Sequence, residues 1–160
     1  MQSRFLTYLI FLFLFAKVGM AQQQEKVQWL SFEQLEDSLA VKAKKVYIDF
    51  YADWCVYCKK MDRVAYRDPQ VIDLLNLEYY AVKMNADTKD TIIFGGDQFI
   101  NEQIGKSRRP THQIPLLLAS REGQPFSLPA IVILNAEFKL EERFFEYMDA
   151  KQLLNFLQAH

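Results

Sequence analysis

Apolar residues along this chain fall into alternating helical and strand periods. Ser31 followed three residues later by Gln34 makes a capping-box pattern, and Leu30 and Leu35 stand where a hydrophobic staple closes. Phe32, Leu35, Leu39 and Ala43 then recur at helical spacing, which predicts a helix over about 32–43. Val46 to Tyr51 is β-branched and aromatic with almost no polar interruption, the pattern of a central strand covered on both faces. Asp49 is the exception inside it. Beyond Cys55, charged and apolar residues alternate at helical period, and Asp68-Pro69 supplies a cap and first-turn proline for a short helix through Leu75. Tyr79 to Asn85 reads as the next strand.

In the second half, Thr91 to Phe94, the pair Gly95-Gly96 with Asp97, and Gln98 to Ile100 have the form of a hairpin, the glycines supplying positive φ angles. Pro110 and Thr111 are placed to open a helix carrying Leu116, Leu117 and Leu118, and Pro115 is compatible only with its first turn or an interrupted start. Ala130 to Leu134 reads as a buried strand, Asn135-Ala136-Glu137 as a turn and Phe138 to Tyr147 as a strand with charges on one side. Asp149, with Gln152 in the reciprocal position, caps a final helix through Leu157. Helices alternating with strands, then a closing hairpin and helix, predict an α/β domain with a mixed sheet flanked by helices. No internal repeat or low-complexity linker interrupts it.

The N-terminus departs from this pattern. Arg4 precedes an apolar stretch from Phe5 to Ala16 that is short for a membrane span, and Gly19-Met20-Ala21 offers small residues where a signal peptidase reads. The expectation is a signal peptide over 1–21, cleaved after about Ala21; an uncleaved anchor is the alternative, weakened by Lys17. No cysteine lies near the cleavage site for lipid attachment. The remainder, 22–160, is the size of one domain with one core. Across the whole chain 19 Lys and Arg face 20 Asp and Glu, and no basic cluster exists beyond Lys106, Arg108 and Arg109, so nucleic acid is not an expected partner.

The two cysteines, Cys55 and Cys58, are separated by two residues at a predicted helix start and can close a small disulfide ring reversibly. An exported chain that keeps no other cysteine uses this pair for exchange rather than stapling. Cys55 begins the helix, where outward N–H groups and the positive end of the dipole favour a thiolate; Cys58 lies one turn further in. Lys59 is either a source of positive potential or a solvated surface lysine. Asp49 in an apolar strand should have its pKa raised by burial, or else be a structural acid bonded to backbone amides. A zinc site needs two more ligands where only His112 and His160 are available, and haem attachment wants a histidine where Lys59 stands, so no metal or other cofactor is expected. The aromatic residues, Phe94, Phe99, Phe126, Phe144, Phe145 and Tyr147 among them, read as core and edge packing, with Phe99 and Phe126 also able to edge a protein-binding groove.

The block Ile48-Asp49-Phe50-Tyr51-Ala52-Asp53-Trp54-Cys55-Val56-Tyr57-Cys58-Lys59 resembles the active site of thioredoxin-fold proteins. With Arg67-Asp68-Pro69-Gln70-Val71 it looks especially like the C-terminal, thioredoxin-like domain of the bacterial transmembrane thiol:disulfide interchange protein family. The likeness runs from about Val46 to Asn85 and again from about Leu128 to Leu157. It implies a three-layer thioredoxin-like fold, a central mixed β-sheet flanked by helices, with a hairpin-plus-helix insertion over about 87–127 before the cis-proline loop. Arg109 and His112 fall near the start of the inserted helix. Pro129 best matches the family's cis-proline, and Ile114-Pro115 is the competitor. Two departures stand out: Ala130 follows the proline where threonine is frequent, and the Asn135-Ala136-Glu137 turn lacks the usual glycine.

What the resemblance implies for the site is Cys55 attacking, Cys58 resolving, Asp49 assisting deprotonation of Cys58 and Pro129 presenting backbone to an extended substrate. Trp54 would pack beside the disulfide, and Tyr57 and Leu128 would join Trp54 and Pro129 in substrate binding. The implied activity is an exported, periplasmic thiol-disulfide oxidoreductase acting on protein disulfides and dithiols. Neither Val56 nor Tyr57 carries positive charge, which favours a reductant. A reductant outside the cytoplasm needs a membrane-embedded electron donor. An oxidase or isomerase, and a non-catalytic client-binding module on the same fold, stay open alternatives.

Overall fold

A computed structural model describes residues 26–160. The expected leader, 1–21, lies outside the described residues. A segment at Leu30 pairs in parallel with Val82 and leads into α1 (Phe32–Val41), whose N-cap Ser31 forms the full reciprocal capping box with Gln34. β1 (Lys45–Tyr51) follows, then α2 (Val56–Arg63), a 3-10 turn at Ala65–Arg67, α3 (Pro69–Glu78) and β2 (Tyr79–Asn85). A hairpin of β3 (Ile92–Phe94) and β4 (Asp97–Phe99) and the short α4 (Gln113–Ala119) form the insertion. β5 (Ala130–Leu134), β6 (Leu140–Phe144) and α5 (Ala150–Ala159) close the chain.

The main sheet has the order β2-β1-β5-β6. β1 runs parallel to β2 and antiparallel to β5, and β5 is antiparallel to β6, which makes the sheet mixed. Strand alternation divides the core in two. Tyr47, Tyr79, Ala81, Ile131 and Ile133 face α2, α3 and α5, where Met61, Val71, Leu75, Leu153 and Leu157 meet them. Val46, Ile48, Phe50, Val82, Val132 and Leu134 face α1 and α4 through Phe32, Leu35, Ile114 and Ala119. β1 and β5 are covered on both sides, which explains their nearly unbroken apolar sequences. Phe94, Phe99 and Phe126 pack against the second half of this core.

Several boundaries differ from those the sequence pattern predicts, each for a local reason. α1 ends at Val41 because Lys42 and Ala43 turn toward β1, with the Lys42 N–H closing on the Ser38 carbonyl. α3 continues beyond Leu75 to Glu78, its last turn closed by the Tyr79 N–H on the Leu75 carbonyl. α4 starts at Gln113 rather than at Pro110. The Thr111 N–H donates to Gln103 Oε1 and the His112 N–H to the Ala86 carbonyl, and His112 keeps extended backbone at φ −64°, ψ 154°, so the first helical residue is Gln113. His112 becomes the N-cap through Nδ1, which accepts from the Ile114 N–H, and Pro115 falls in the first turn, where its missing donor costs little. The β5–β6 turn extends to Lys139, because Asn135 Oδ1 accepts from the N–H groups of Glu137 and Lys139 and Phe138 adopts φ 58°. Phe138 thus takes the left-handed conformation usually given to glycine. The hairpin turn does use glycine, with Gly95 at φ 64° and Gly96 at φ 80°.

Ile133, fully buried at the centre of β5, should lose about 2–5 kcal/mol of stability on change to alanine. The same change at Ile93, 54% exposed on the hairpin, should stay within about 0.5 kcal/mol. Urea unfolding of the two variants checks both.

Candidate active site

The site lies at the C-terminal ends of β1 and β2. After β1 the chain turns at Ala52 to Cys55, closed by the Cys55 N–H on the Ala52 carbonyl at 2.9 Å, and enters α2. Cys55 is the N-cap of that helix, with β-region backbone, and its Sγ accepts the Cys58 N–H at 3.1 Å. Cys55 and Cys58 are joined as a disulfide with Cα atoms 5.3 Å apart. A helix N-terminus leaves N–H donors unsatisfied, so a sulfur in the capping position gains a donor and the positive end of the dipole. Burial does not separate the two cysteines, at 4% and 3% exposed. What separates them is place: Cys55 caps the helix from outside its first turn and Cys58 lies within it.

The register Phe50↔Ala130 brings the chain before β5 alongside the end of β1. The peptide bond Leu128–Pro129 is cis, and Leu128 packs against the small cluster of Ala52, Cys55 and Cys58. Pro115, the competing position, lies inside α4.

Asp49 is 2% exposed on the same face of β1 as Tyr47, the face covered by α2. Register places Lys83 of β2 beside it, with Nζ 3.5 Å from one carboxylate oxygen. Lys83 also pairs with Asp62 of α2 and sits over the rings of Trp29, Tyr51 and Tyr66. The second Asp49 oxygen, Oδ1, has no hydrogen-bond partner among the described residues. Burial pushes the Asp49 carboxyl up to about 6; Lys83 opposes the rise and Asp62 adds to it. Burial also raises the neighbouring hydroxyls of Tyr47 and Tyr66, which are bonded to each other at 2.8 Å.

Lys83 and Asp62 were not singled out by sequence reasoning. The signal was present, since Lys83 is the one charge inside a strand otherwise made of Tyr79 to Asn85, as Asp49 is inside β1. Two interior charges of opposite sign in neighbouring strands identify each other only once the register is known.

Trp54 directly precedes Cys55. It is 44% exposed, donates Nε1–H to Asp87 Oδ2 at 2.6 Å, and carries the Arg109 guanidinium 4.1 Å above its ring. Asp87 is itself held by an Asx turn, its N–H donated to Asn85 Oδ1. Tyr57 is 59% exposed, with its ring 6.0 Å from that of Tyr147, over which Lys60 lies. His112 is fully buried and burial lowers its pKa, so it is a neutral cap. Among the described residues no group of three or more His, Cys, Asp and Glu is gathered in a way that could hold a metal ion.

The elevated Asp49 pKa carries a stability prediction. The unfolded carboxyl ionises near 3.8 and the folded one near 6, so the native state is favoured below about pH 4 and loses that advantage as pH rises toward about 6. Asp49→Asn should therefore be more stable than the wild type at about pH 7.5, by about 1–3 kcal/mol, with the gap closing toward about pH 4. Denaturant melts across that range check it, and a gap independent of pH contradicts it.

Comparison with known proteins agrees with this geometry. The model of the thioredoxin-like domain family matches residues 32–160. The thiol:disulfide interchange protein DsbD of Pseudoalteromonas atlantica is 36% identical over 64 residues, covering 39% of this chain and 11% of that protein. The chain thus spans a small part of the length of such relatives. Among solved structures, the DsbH oxidoreductase superposes with a TM-score of 0.56 at 17% identity, covering 90% of this chain and 94% of that one. A putative disulphide-isomerase from Bacteroides thetaiotaomicron gives 0.55 at 20% identity, over 85% and 93%. The chain belongs to the thioredoxin-like domain family, and its two cysteines, Cys55 and Cys58, are joined as a disulfide at the start of α2.

Proposed function

We propose that this chain reduces disulfides in protein substrates, with Cys55 as nucleophile. The observation that carries the reading is the cysteine sulfur in the N-cap position of α2, receiving the Cys58 N–H beside a cis-proline loop. In the reduced protein the Cys55 thiolate attacks one sulfur of a client disulfide. That bond breaks, one client sulfur leaves as a thiolate that takes up a proton, and a mixed disulfide forms. Asp49, whose pKa near 6 suits acceptance of a proton near neutrality, takes the Cys58 proton. The Cys58 thiolate then attacks Cys55 Sγ, releasing the second client sulfur and leaving the Cys55–Cys58 disulfide. Two electrons have passed to the client. Trp54, Tyr57, Leu128 and Pro129 line the approach, and the backbone at Pro129 pairs with an extended client.

The reducing direction rests on electrostatics at the motif. Val56 and Tyr57 bring no cation to the thiolate, so the reduced form is not stabilised as in a strong oxidant. Regeneration then requires a dithiol donor, which for an exported protein is membrane-embedded. Export itself rests on Arg4, the apolar stretch Phe5 to Ala16 and the small residues Gly19 and Ala21, which make residues 1–21 a signal peptide and the periplasm the working compartment. The DsbD relatives are thiol:disulfide interchange proteins by name, which supports partners of the same chemistry.

Equilibration with glutathione should give a potential more negative than about −180 mV, the isomerase value. Cys55→Ser should abolish insulin disulfide reduction, and Cys58→Ser should accumulate client mixed disulfides visible on non-reducing gels. A potential well above that value sinks the reductase reading. Client handling that survives Cys55→Ser points to a binding module.

A further inference from the structure

The insertion places a cation over the ring of Trp54, the residue before Cys55, that none of the chemistry above uses. Arg109 lies with its guanidinium carbon 4.1 Å from the centroid of the Trp54 ring, and Trp54 directly precedes Cys55. Both partners of this stack are fixed. Trp54 is held from below by its bond to Asp87. The Arg109 backbone is held by a reciprocal pair of bonds with Ser107, the Arg109 N–H donating to Ser107 Oγ and Ser107 Oγ–H to the Arg109 carbonyl. The loop is closed on either side, since Gln103 accepts the Ser107 N–H through its carbonyl and the Thr111 N–H through Oε1. The His112 N–H ties the segment to Ala86 at the end of β2.

Among the described residues the ion pairs are those of Lys83 with Asp49 and Asp62, so Arg109 holds no carboxylate of its own. Asp87 is engaged by the Trp54 indole. Lys106 and Arg108 are exposed in the same loop and add positive potential. A planar guanidinium immobilised by stacking keeps its outward donors free for a carboxylate and loses little entropy in binding one.

We propose that Arg109 is a specificity-determining residue, selecting peptide disulfides in which Asp or Glu lies two or three residues from the attacked cysteine. The inference rests on the reductase reading. The guanidinium lies over the side chain of the residue before Cys55 and an extended client advances about 3.3 Å per residue, so the proposal takes a short offset from the attacked cysteine.

The test uses two disulfide-closed peptides identical except for Glu or Lys at those positions, each reduced by the donor-recycled protein under low salt. The readout is the ratio of their kcat/KM values, in which any general effect on Cys55 cancels. Wild type should prefer the Glu peptide about three- to fivefold, the range of an exposed charge pair, and added salt should shrink the ratio. Arg109→Ala should bring the ratio near one, Arg109→Glu should invert it, and Arg109→Lys should keep part of it. Equal rates on both peptides with normal turnover, or a preference that survives Arg109→Glu, overturns this inference alone. Failure of the wild type to reduce either peptide overturns the reductase reading and the inference together.

Discussion

The hydrogen bond from the Cys58 N–H to Cys55 Sγ joins backbone geometry to chemistry in this protein. A helix needs an acceptor at its N-cap, and here a cysteine fills the place usually taken by Ser, Thr, Asp or Asn. On reduction, the same donor and the same dipole end meet a thiolate, which they favour over the thiol. The sheet serves this arrangement by aiming β1 at the start of α2 and bringing the β5 approach alongside, so that helix start and cis-proline loop meet at Ala52, Cys55, Cys58 and Leu128.

On the face of β1 that α2 covers, the fold keeps a carboxyl group where a hydrocarbon would pack more cheaply. Asp49 is buried under α2 with one oxygen unpartnered among the described residues, and Lys83 divides its charge between Asp49 and Asp62. Burial lifts the Asp49 pKa to about 6, and Lys83, which also pairs with Asp62, opposes that rise without cancelling it. Lys83 is surrounded by the faces of three aromatic rings, which tolerate its charge in a half-buried place. The same feature that weakens stability gives Asp49 the pKa that suits the proton acceptance proposed for it.

Much of this was legible in the sequence where local rules and tertiary context agree. Ser31 with Gln34 and Asp149 with Gln152 cap their helices as the pattern predicts, and the strands Tyr79–Asn85 and Ala130–Leu134 fall where expected. The misses come from interactions with no local signature. α4 starts late because His112, tied by its N–H to Ala86 just past β2, keeps extended backbone and becomes the N-cap. β6 is short because Phe138 takes a left-handed conformation that its side chain does not advertise. At the site, Cys55, Cys58 and Asp49 stand out by residue type against their surroundings. Lys83 and Asp62 do not, since their part depends on strand register and on which helix face lies over it.

The most direct measurement is a titration of the Cys55 thiol in the reduced protein, followed by thiolate absorbance and by the pH dependence of alkylation. Helix capping by the sulfur calls for a pKa clearly below the ordinary value of about 8.5, with Cys55 alkylated ahead of Cys58. A Cys55 thiol that titrates at or above about 8.5, or that reacts no faster than Cys58, contradicts it.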